Sequence, residues 1–426
     1  MFFWGTDYLF NSDLENEFFA IIDDINELGD EKFELRLDAI GSKWVDDNLR
    51  ENINPFELNA QITPYIFATI ISKEEAHRLN HITNSWSRKW VRLKLTNKVN
   101  DRPVEQFIDN AGNPEITTRY IESLSVPNFY ESDLQPLNTF FNWDHFKTSS
   151  KNQIHQLLNH ISRKFENPHL NIYNVGQGNL SAICDKDDIP LIYFDMGGGF
   201  AWNRHTYTNP IELFWNKADT IIISHFDMDH LETARRAMYN DWSDFNGKTW
   251  IVPKQVLSPS YMKLLSKISV TGNLMVWPDR VKSIVTPSLS LVRCFGPDKN
   301  NSGLALIVNS FDRVVMHPAD ASYFYIDYKN PIQGLVATHH GANFILNNNP
   351  IPLTKNGCVV YSYGLNNSYS HPKDLAIQAH EMSQWGHIQI NRKDTTIDGH
   401  ISFGKAIQSK SHCGNSNCII CSLNYF

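Results

Sequence analysis

Apolar positions follow two textures, changing near residue 168. Beyond it, short runs rich in β-branched residues are bounded by Gly, Pro, Asn and Asp: HLNIYNVG (169–176), IPLIYFDMGGG (189–199), DTIIIS (219–224), KTWIVP (248–253), SLVRCFG (290–296), GLALIVNS (303–310), RVVMHPAD (313–320), GLVATHHG (334–341) and CVVYSYG (358–364). Each has the length of a strand. LETARRAMYN (231–240), SYMKLLSKI (260–268) and PKDLAIQAHEMSQW (372–385) lie between them with helical spacing. Strands alternating with helices, with polar residues at strand ends, predict an α/β layered domain whose site sits on one rim. Before residue 168 the pattern is less regular. LENEFFAIIDDINEL (14–28) has the spacing of an acidic amphipathic helix, and KEEAHRLNHITNSWSRKW (73–90) that of a second. VRLKLTN (91–97) alternates as a strand, 121–150 reads as a connector, and SSKNQIHQLLNHISRKF (149–165) is a helix with Ser at its start as the cap. Three parts follow: an N-terminal mixed α/β domain (1–165), the layered domain (166–408) and a Cys-rich tail (409–426).

Charge sharpens this division. The 426 residues carry 38 Lys+Arg and 46 Asp+Glu, net −8. Residues 1–170 hold 17 basic and 26 acidic residues, and residues 171–426 hold 21 and 20. The acidity is therefore N-terminal, and a uniformly basic nucleic-acid coat is excluded, though a local basic groove is not. An aromatic content of 12% excludes a wholly disordered chain. No apolar run approaches the ~20 residues of a membrane helix. The first residues lack the basic start of a signal peptide. Six cysteines make no disulfide scaffold, so a soluble, cytoplasmic, reducing setting without membrane contact is expected. The stretch SWSRKWVRLKLTNK (85–98) offers stacking and phosphate contacts to nucleic acid, but reads better as an amphipathic element with Trp inward and Lys/Arg outward.

The chemistry concentrates at strand ends. SHFDMDHLE (224–232) puts His225, Asp227, Asp229 and His230 in one loop directly after a strand. Four nitrogen and oxygen donors so placed suit one or two divalent cations. Asp320, and with less weight His317, close the next candidate strand. His339 and His340 close another, followed by Gly341 for a sharp turn. His371 follows a third, with Asn366 and Asn367 nearby.

These residues carry a resemblance. HFDMDH resembles the HxHxDH metal motif of the metallo-β-lactamase superfamily with Asp at its second His, a form similar to the ComEC-like branch. NVGQGN (174–179) resembles that branch's VGQGD opening, IYFDMGGG (192–199) its strand ending in Asp-x-Gly, and HPADA (317–321) its Thr-Gly-Asp-Ala turn. THHGAN (338–343) resembles HHGS, YGLNNSYSHP (363–372) its G-x-N-x-YGHP segment, and TTIDGHISF (395–403) its closing strand. The landmarks keep one order over residues 168–405.

The resemblance implies an αββα sandwich with two divalent ions, Zn²⁺ or Mn²⁺ with Mg²⁺ as a further option, at the rim between its sheets. His225 and Asp227 would hold the first ion, Asp229 and His230 the second, and Asp320 would bridge. His339 or His340 would complete the second site, with His339 preferred. Asp229 would also orient the attacking water, His371 would touch the phosphate or protonate the leaving group, and Asp195 would orient the metal loop. The third His of the first site has no equivalent: Asn301 and Ser302 stand near its place, leaving an oxygen-rich site suited to harder ions. Ala319 replaces the usual Gly before Asp320, and Asn179 the acidic residue of VGQGD.

The implied activity is a phosphodiesterase, foremost a nuclease on DNA or RNA, with hydrolysis of a small cyclic nucleotide as the same-fold alternative. Arg204, Arg235, Arg236, Lys373, Arg392 and Lys393 are candidate phosphate contacts, mostly expected to be solvated. The contrasting class is a non-catalytic partner-binding protein with a degraded metal site. Standalone relatives of this branch also resemble effectors of bacterial antiviral defence. In that setting the acidic N-terminal part would mimic nucleic acid or occlude the rim until a protein partner or protease relieves it. Finally, the tail SHCGNSNCIICSLNYF (411–426) offers Cys413, Cys418 and Cys421, beside His412, for a structural Zn²⁺, against a thiol-bearing tail packed on the domain.

Overall fold

Six strands of the N-terminal part close into a barrel: β1 (Glu17–Gly29), β2 (Lys32–Gly41), β3 (Tyr65–Ser72), β4 (Trp90–Thr96), β5 (Pro103–Ile108) and β6 (Glu115–Ser125), in the order β1-β2-β3-β5-β6-β4. The structure is a computed structural model describing residues 15–49, 56, 62–83, 90–108, 115–127, 134–207, 217–310, 313–354, 357–385, 387–391, 400–403 and 423–425. The helix expected over 14–28 is thus a strand. Its FFAII run is buried on both faces: Phe18, Ala20 and Ile22 join Leu35, Leu37, Phe67, Val91 and Leu93 inside the barrel, while Phe19 and Ile21 pack outward into a second core. A strand covered on both sides loses its alternation, and aromatic and β-branched residues then favour the pleat. The second expected helix spans Lys73–Thr83, and a short one spans Ser42–Asn48. Trp90 is buried and its indole donates to Asn138 Oδ1 (3.1 Å), so within β4 this Trp serves packing rather than base stacking.

The rest of the chain forms two facing mixed sheets. β7 (His169–Ile172), β8 (Ser181–Cys184), β9 (Pro190–Phe194), β10 (Thr220–Ile222), β11 (Thr249–Val252) and β12 (Asn273–Val276) belong to the first. β13 (Ser283–Val285), β14 (Leu289–Arg293), β15 (Leu304–Asn309), β16 (Val314–His317), β17 (Gly334–Val336), β18 (Cys358–Ser362) and β19 (His387–Asn391) make the second. β20 (His400–Phe403) and β21 (Leu423–Tyr425) return to the first, giving β12-β11-β10-β9-β8-β7-β20-β21 against β13-β14-β15-β16-β17-β18-β19. β9–β12 run parallel to one another, as do β16–β19. Ile183, Ile192, Phe194 and Ile222 meet Leu291, Leu306, Val315 and Val336 between the sheets. Helices Pro259–Thr271 and Asp374–Met382 cover the outer faces. This is the expected αββα sandwich, and it explains the unbroken apolar runs: strands buried on both faces carry no polar stripe.

Helix Lys151–Ser162 seals the sandwich with Ile154, Leu158 and Ile161. Ser150 caps it as expected, Gln153 N donating to Ser150 Oγ (3.2 Å) and Ser150 N to Gln153 Oε1 (2.8 Å). Ser150→Ala is expected to lower stability by about 1 kcal/mol, read as a shifted denaturant midpoint. The candidate zinc ligands Cys413, Cys418 and Cys421, with His412, lie outside the described residues, as do Arg392 and Lys393. No helix among the described residues is long and apolar enough to cross a membrane.

Candidate metal centre

The centre sits where β9, β10, β16 and β17 end. The Asp-x-Gly turn after β9 clamps the loop of residues 225–230, with Met196 N donating to His230 O (2.9 Å) and Gly198 N to Asp229 O (3.0 Å), and Asn179 N donates to the same Asp229 oxygen (3.2 Å). Only glycine fits at 197, since a Cβ there would overlap the Asp229 carbonyl. Asp195, Ala319, His339 and His340 all hold left-handed backbone at strand ends. Each such non-glycine residue costs about 1–3 kcal/mol, which concentrates strain around one point.

Two donor groups converge there, His225–His230–Asp320 and Asp229–His230–His340, each with ligand atoms within 4.8 Å of one another. His230 Nε2 lies 3.0 Å from Asp320 Oδ1, and His340 Nε2 lies 3.2 Å from Asp229 Oδ2. Even so, His225 Nε2, His230 Nε2, His340 Nε2 and Asp320 Oδ1 are buried without a hydrogen bond. Buried polar atoms are normally satisfied, and four unsatisfied atoms around one point fit a divalent cation.

The far side of each ring fixes its tautomer. His230 Nδ1 donates to Asp195 Oδ2 (2.8 Å) and His340 Nδ1 to the Ser362 carbonyl (2.8 Å), so in the neutral rings it is Nε2 that offers a lone pair to a metal. Asp195 also accepts from Ser224 N and Oγ, each at 2.7 Å. Burial opposes charge on His230, but Asp320 and Asp195 outweigh it and raise its pKa well above the usual value. A cation binding there displaces that proton. Asp195→Asn removes the anchoring carboxylate and is expected to weaken metal affinity by about 10–100-fold, measured by competition with a chelating dye.

The structure brings His225, Asp229, His230 and Asp320 together, and two other candidate residues lie outside these groups. His340 joins the cluster in place of His339. His339 stands nearer the mouth, its Nε2 3.5 Å from Asp320 Oδ2. Asp227 joins neither group: its Oδ1 accepts from Arg36 Nη2 (2.8 Å) and its Oδ2 pairs with Lys299 Nζ (3.1 Å). Burial pushes the Asp227 carboxyl up, yet Lys299 and Arg36 hold it well below the usual range.

The loop of Asn301 and Ser302 therefore contributes Lys299 instead. Asn301 caps Asp298 and Ser322, and Ser302 Oγ accepts from Gln255. His317 Nδ1 accepts from Ala319 N (3.1 Å), which puts its proton on Nε2 and removes it from the donor set. His371 Nδ1 accepts from Gln177 Nε2 (3.2 Å), leaving Nε2–H free to donate. Arg235 and Arg236 are both bound to Glu232 (2.7 Å each), away from any phosphate role in this arrangement. Arg204 lies over the Phe107 ring.

The barrel's part in this site was not legible in the sequence. In FELRLDAIG, alternate residues Leu35, Leu37 and Ala39 fill the barrel while Glu34, Arg36 and Asp38 form a polar face. That face is buried against the sandwich: Tyr369 OH donates to Glu34 Oε2 (2.6 Å), Arg36 reaches Asp227, and Asp38 accepts from Ser258 and Ser260. The alternation signals a strand with one polar face, but nothing in it says that another domain covers that face.

Burial pushes both Glu34 and Asp38 up to about 7. A carboxyl with a raised folded pKa stabilises fully below its unfolded pKa and loses that contribution as pH rises through 7. Docking is therefore expected to weaken between pH 5 and about 8, and Glu34→Gln with Asp38→Asn to flatten that slope in denaturant titrations.

No family model matches this chain, and no curated protein matches it. Among solved structures it is similar to the metallo-β-lactamase fold protein YhfI from Bacillus subtilis, at 13% identity over 53% of this chain and 96% of that one, TM-score 0.33. It is also similar to the short form of human tRNase Z (12%, 39% and 76%, TM-score 0.28) and to a Zn-dependent hydrolase of the superfamily from Thermotoga maritima (10%, 53% and 100%, TM-score 0.26). At these values the likeness carries no argument, and the centre stands on its own geometry.

Proposed function

We propose that the chain is a metal-dependent hydrolase of phosphodiester bonds, foremost a nuclease acting on DNA or RNA. The observation that carries this reading is the convergence of His225, His230 and His340 Nε2 with Asp320 Oδ1, all buried and unsatisfied. The motif resemblance over 168–405 supplies the phosphodiester specificity, and the mixed imidazole and carboxylate donor set suits Mn²⁺ as well as Zn²⁺. A divalent ion held there supplies Lewis acidity toward a phosphoryl oxygen and acidifies water. The chain's own residues do the rest. Asp229, the most exposed of the buried donors at 8%, orients the water and takes its proton. His371 Nε2–H hydrogen-bonds the leaving oxygen, which takes the proton that Asp229 accepted from the water, and Asp195 holds the His230 ring.

One observation favours the small-substrate alternative. His225, His230 and Asp320 are at most 3% exposed and the barrel's β2 packs on Asp227 beside them, burial that suits a cyclic nucleotide better than a duplex. The test adds Mn²⁺, Mg²⁺ or Zn²⁺ separately to metal-stripped protein with labelled DNA, RNA and cyclic dinucleotides, beside Asp229→Ala/His230→Ala. Polymer cleavage by the wild type alone supports a nuclease. Cleavage of the dinucleotides alone selects the alternative. Silence with every metal favours either the partner-binding protein or an enzyme restrained by its N-terminal part.

A further inference from the structure

We propose that Arg36 takes the place of the first metal ion, so that the chain with its barrel docked binds one divalent ion, held by His230, His340, Asp229 and Asp320. The inference rests on the metal-site reading above and changes its count from two ions to one.

Both Asp227 oxygens are taken. Oδ1 lies 2.8 Å from Arg36 Nη2 and Oδ2 lies 3.1 Å from Lys299 Nζ, with the Arg36 and Asp227 side chains each only 2% exposed. The two cations are themselves anchored on the barrel. Arg36 Nη2 also reaches Asp24 Oδ2 (2.8 Å), Arg36 Nε stands 3.6 Å from Asp23 Oδ2, and Lys299 Nζ lies 3.2 Å from Asp23 Oδ1. A guanidinium bonded to two carboxylates in a dry site is not readily displaced.

The donor count points the same way. The two groups share His230, whose single Nε2 serves one ion. Once His230, His340 and Asp229 are committed, His225 and the remaining oxygen of Asp320 are left, and among the described residues no third donor beyond His230 forms a close group with them. Divalent-metal sites of this chemistry take at least three protein ligands. Asp227 would be the third, and Arg36 holds it. Because Arg36 belongs to the barrel, a second ion and barrel docking compete for one carboxylate, and each opposes the other by the same factor.

The test counts ions on metal-stripped full-length protein. Mn²⁺ is used first, since it does not favour thiolates, and Zn²⁺ second on a Cys413→Ser/Cys418→Ser/Cys421→Ser background. The wild type is expected to bind one equivalent, and Arg36→Ala/Lys299→Met two, with paired Mn²⁺ showing spin coupling by electron paramagnetic resonance. Asp227→Asn in the otherwise native chain is expected to leave the count at one, which keeps the test decisive if the double variant does not fold. Two equivalents in the wild type, falling to one in Asp227→Asn, would overturn the inference. Zero equivalents with either metal would instead overturn the metal-site reading beneath it.

Discussion

His230→Ala is expected to abolish divalent-metal binding and, with it, hydrolysis. This residue is shared by both donor groups, and its imidazole is fully buried, held through Nδ1 by Asp195. Among the described residues no other donor occupies that position, so truncation removes a ligand from both groups. The loss of activity should exceed the ~10–100-fold expected from losing only an orienting partner. The structural cost works in the same direction, because Asp195 and Asp320 would remain buried without the cation that both approach. Equilibrium dialysis against Mn²⁺ and Zn²⁺ measures the first effect and a phosphodiesterase assay the second. Metal binding kept at wild-type strength would exclude His230 as a ligand.

Arg36→Met carries the largest expected effect on stability. Its guanidinium joins Asp24 and Asp227 at 2.8 Å each, across the contact between barrel and sandwich. Removing one partner of a buried ion network leaves the others charged and desolvated, at a cost of about 3–5 kcal/mol. In metal-stripped protein the denaturant midpoint should fall accordingly, with the barrel separating before the sandwich unfolds. A change within ~1 kcal/mol would mean that the pair behaves like a solvent-screened surface contact. Added metal is expected to recover part of the loss in this variant, because an ion can then neutralise Asp227.

Much of the sandwich and its centre was legible because each strand is an apolar run and each donor follows one. His225, Asp229, His230 and Asp320 meet because β10 and β16 end on the same rim of facing sheets. Strand order aims those ends together, whatever the sequence distance between them. Legibility failed where a neighbour decides the outcome. β1 lost its alternation because the barrel interior and the sandwich cover opposite faces of it. Adjacent His339 and His340 are indistinguishable by spacing, and only the Ser362 carbonyl selects the ring that turns inward. Asp227 keeps its place in the motif, yet its partners are Arg36, 191 residues earlier, and Lys299. Three charged residues alternating in a strand read as a solvent face. Their burial depends on Tyr369, Asp227 and Ser258, which no local pattern connects to them.

Anomalous X-ray scattering from crystals of the full chain grown with Zn²⁺ or Mn²⁺ tests the single-ion centre most directly. One peak is expected within ligand distance of His230 Nε2, His340 Nε2, Asp229 and Asp320, with Arg36 still on Asp227. A metal-loaded crystal with no peak at His230, or with an ion ligated by Asp227, would contradict it.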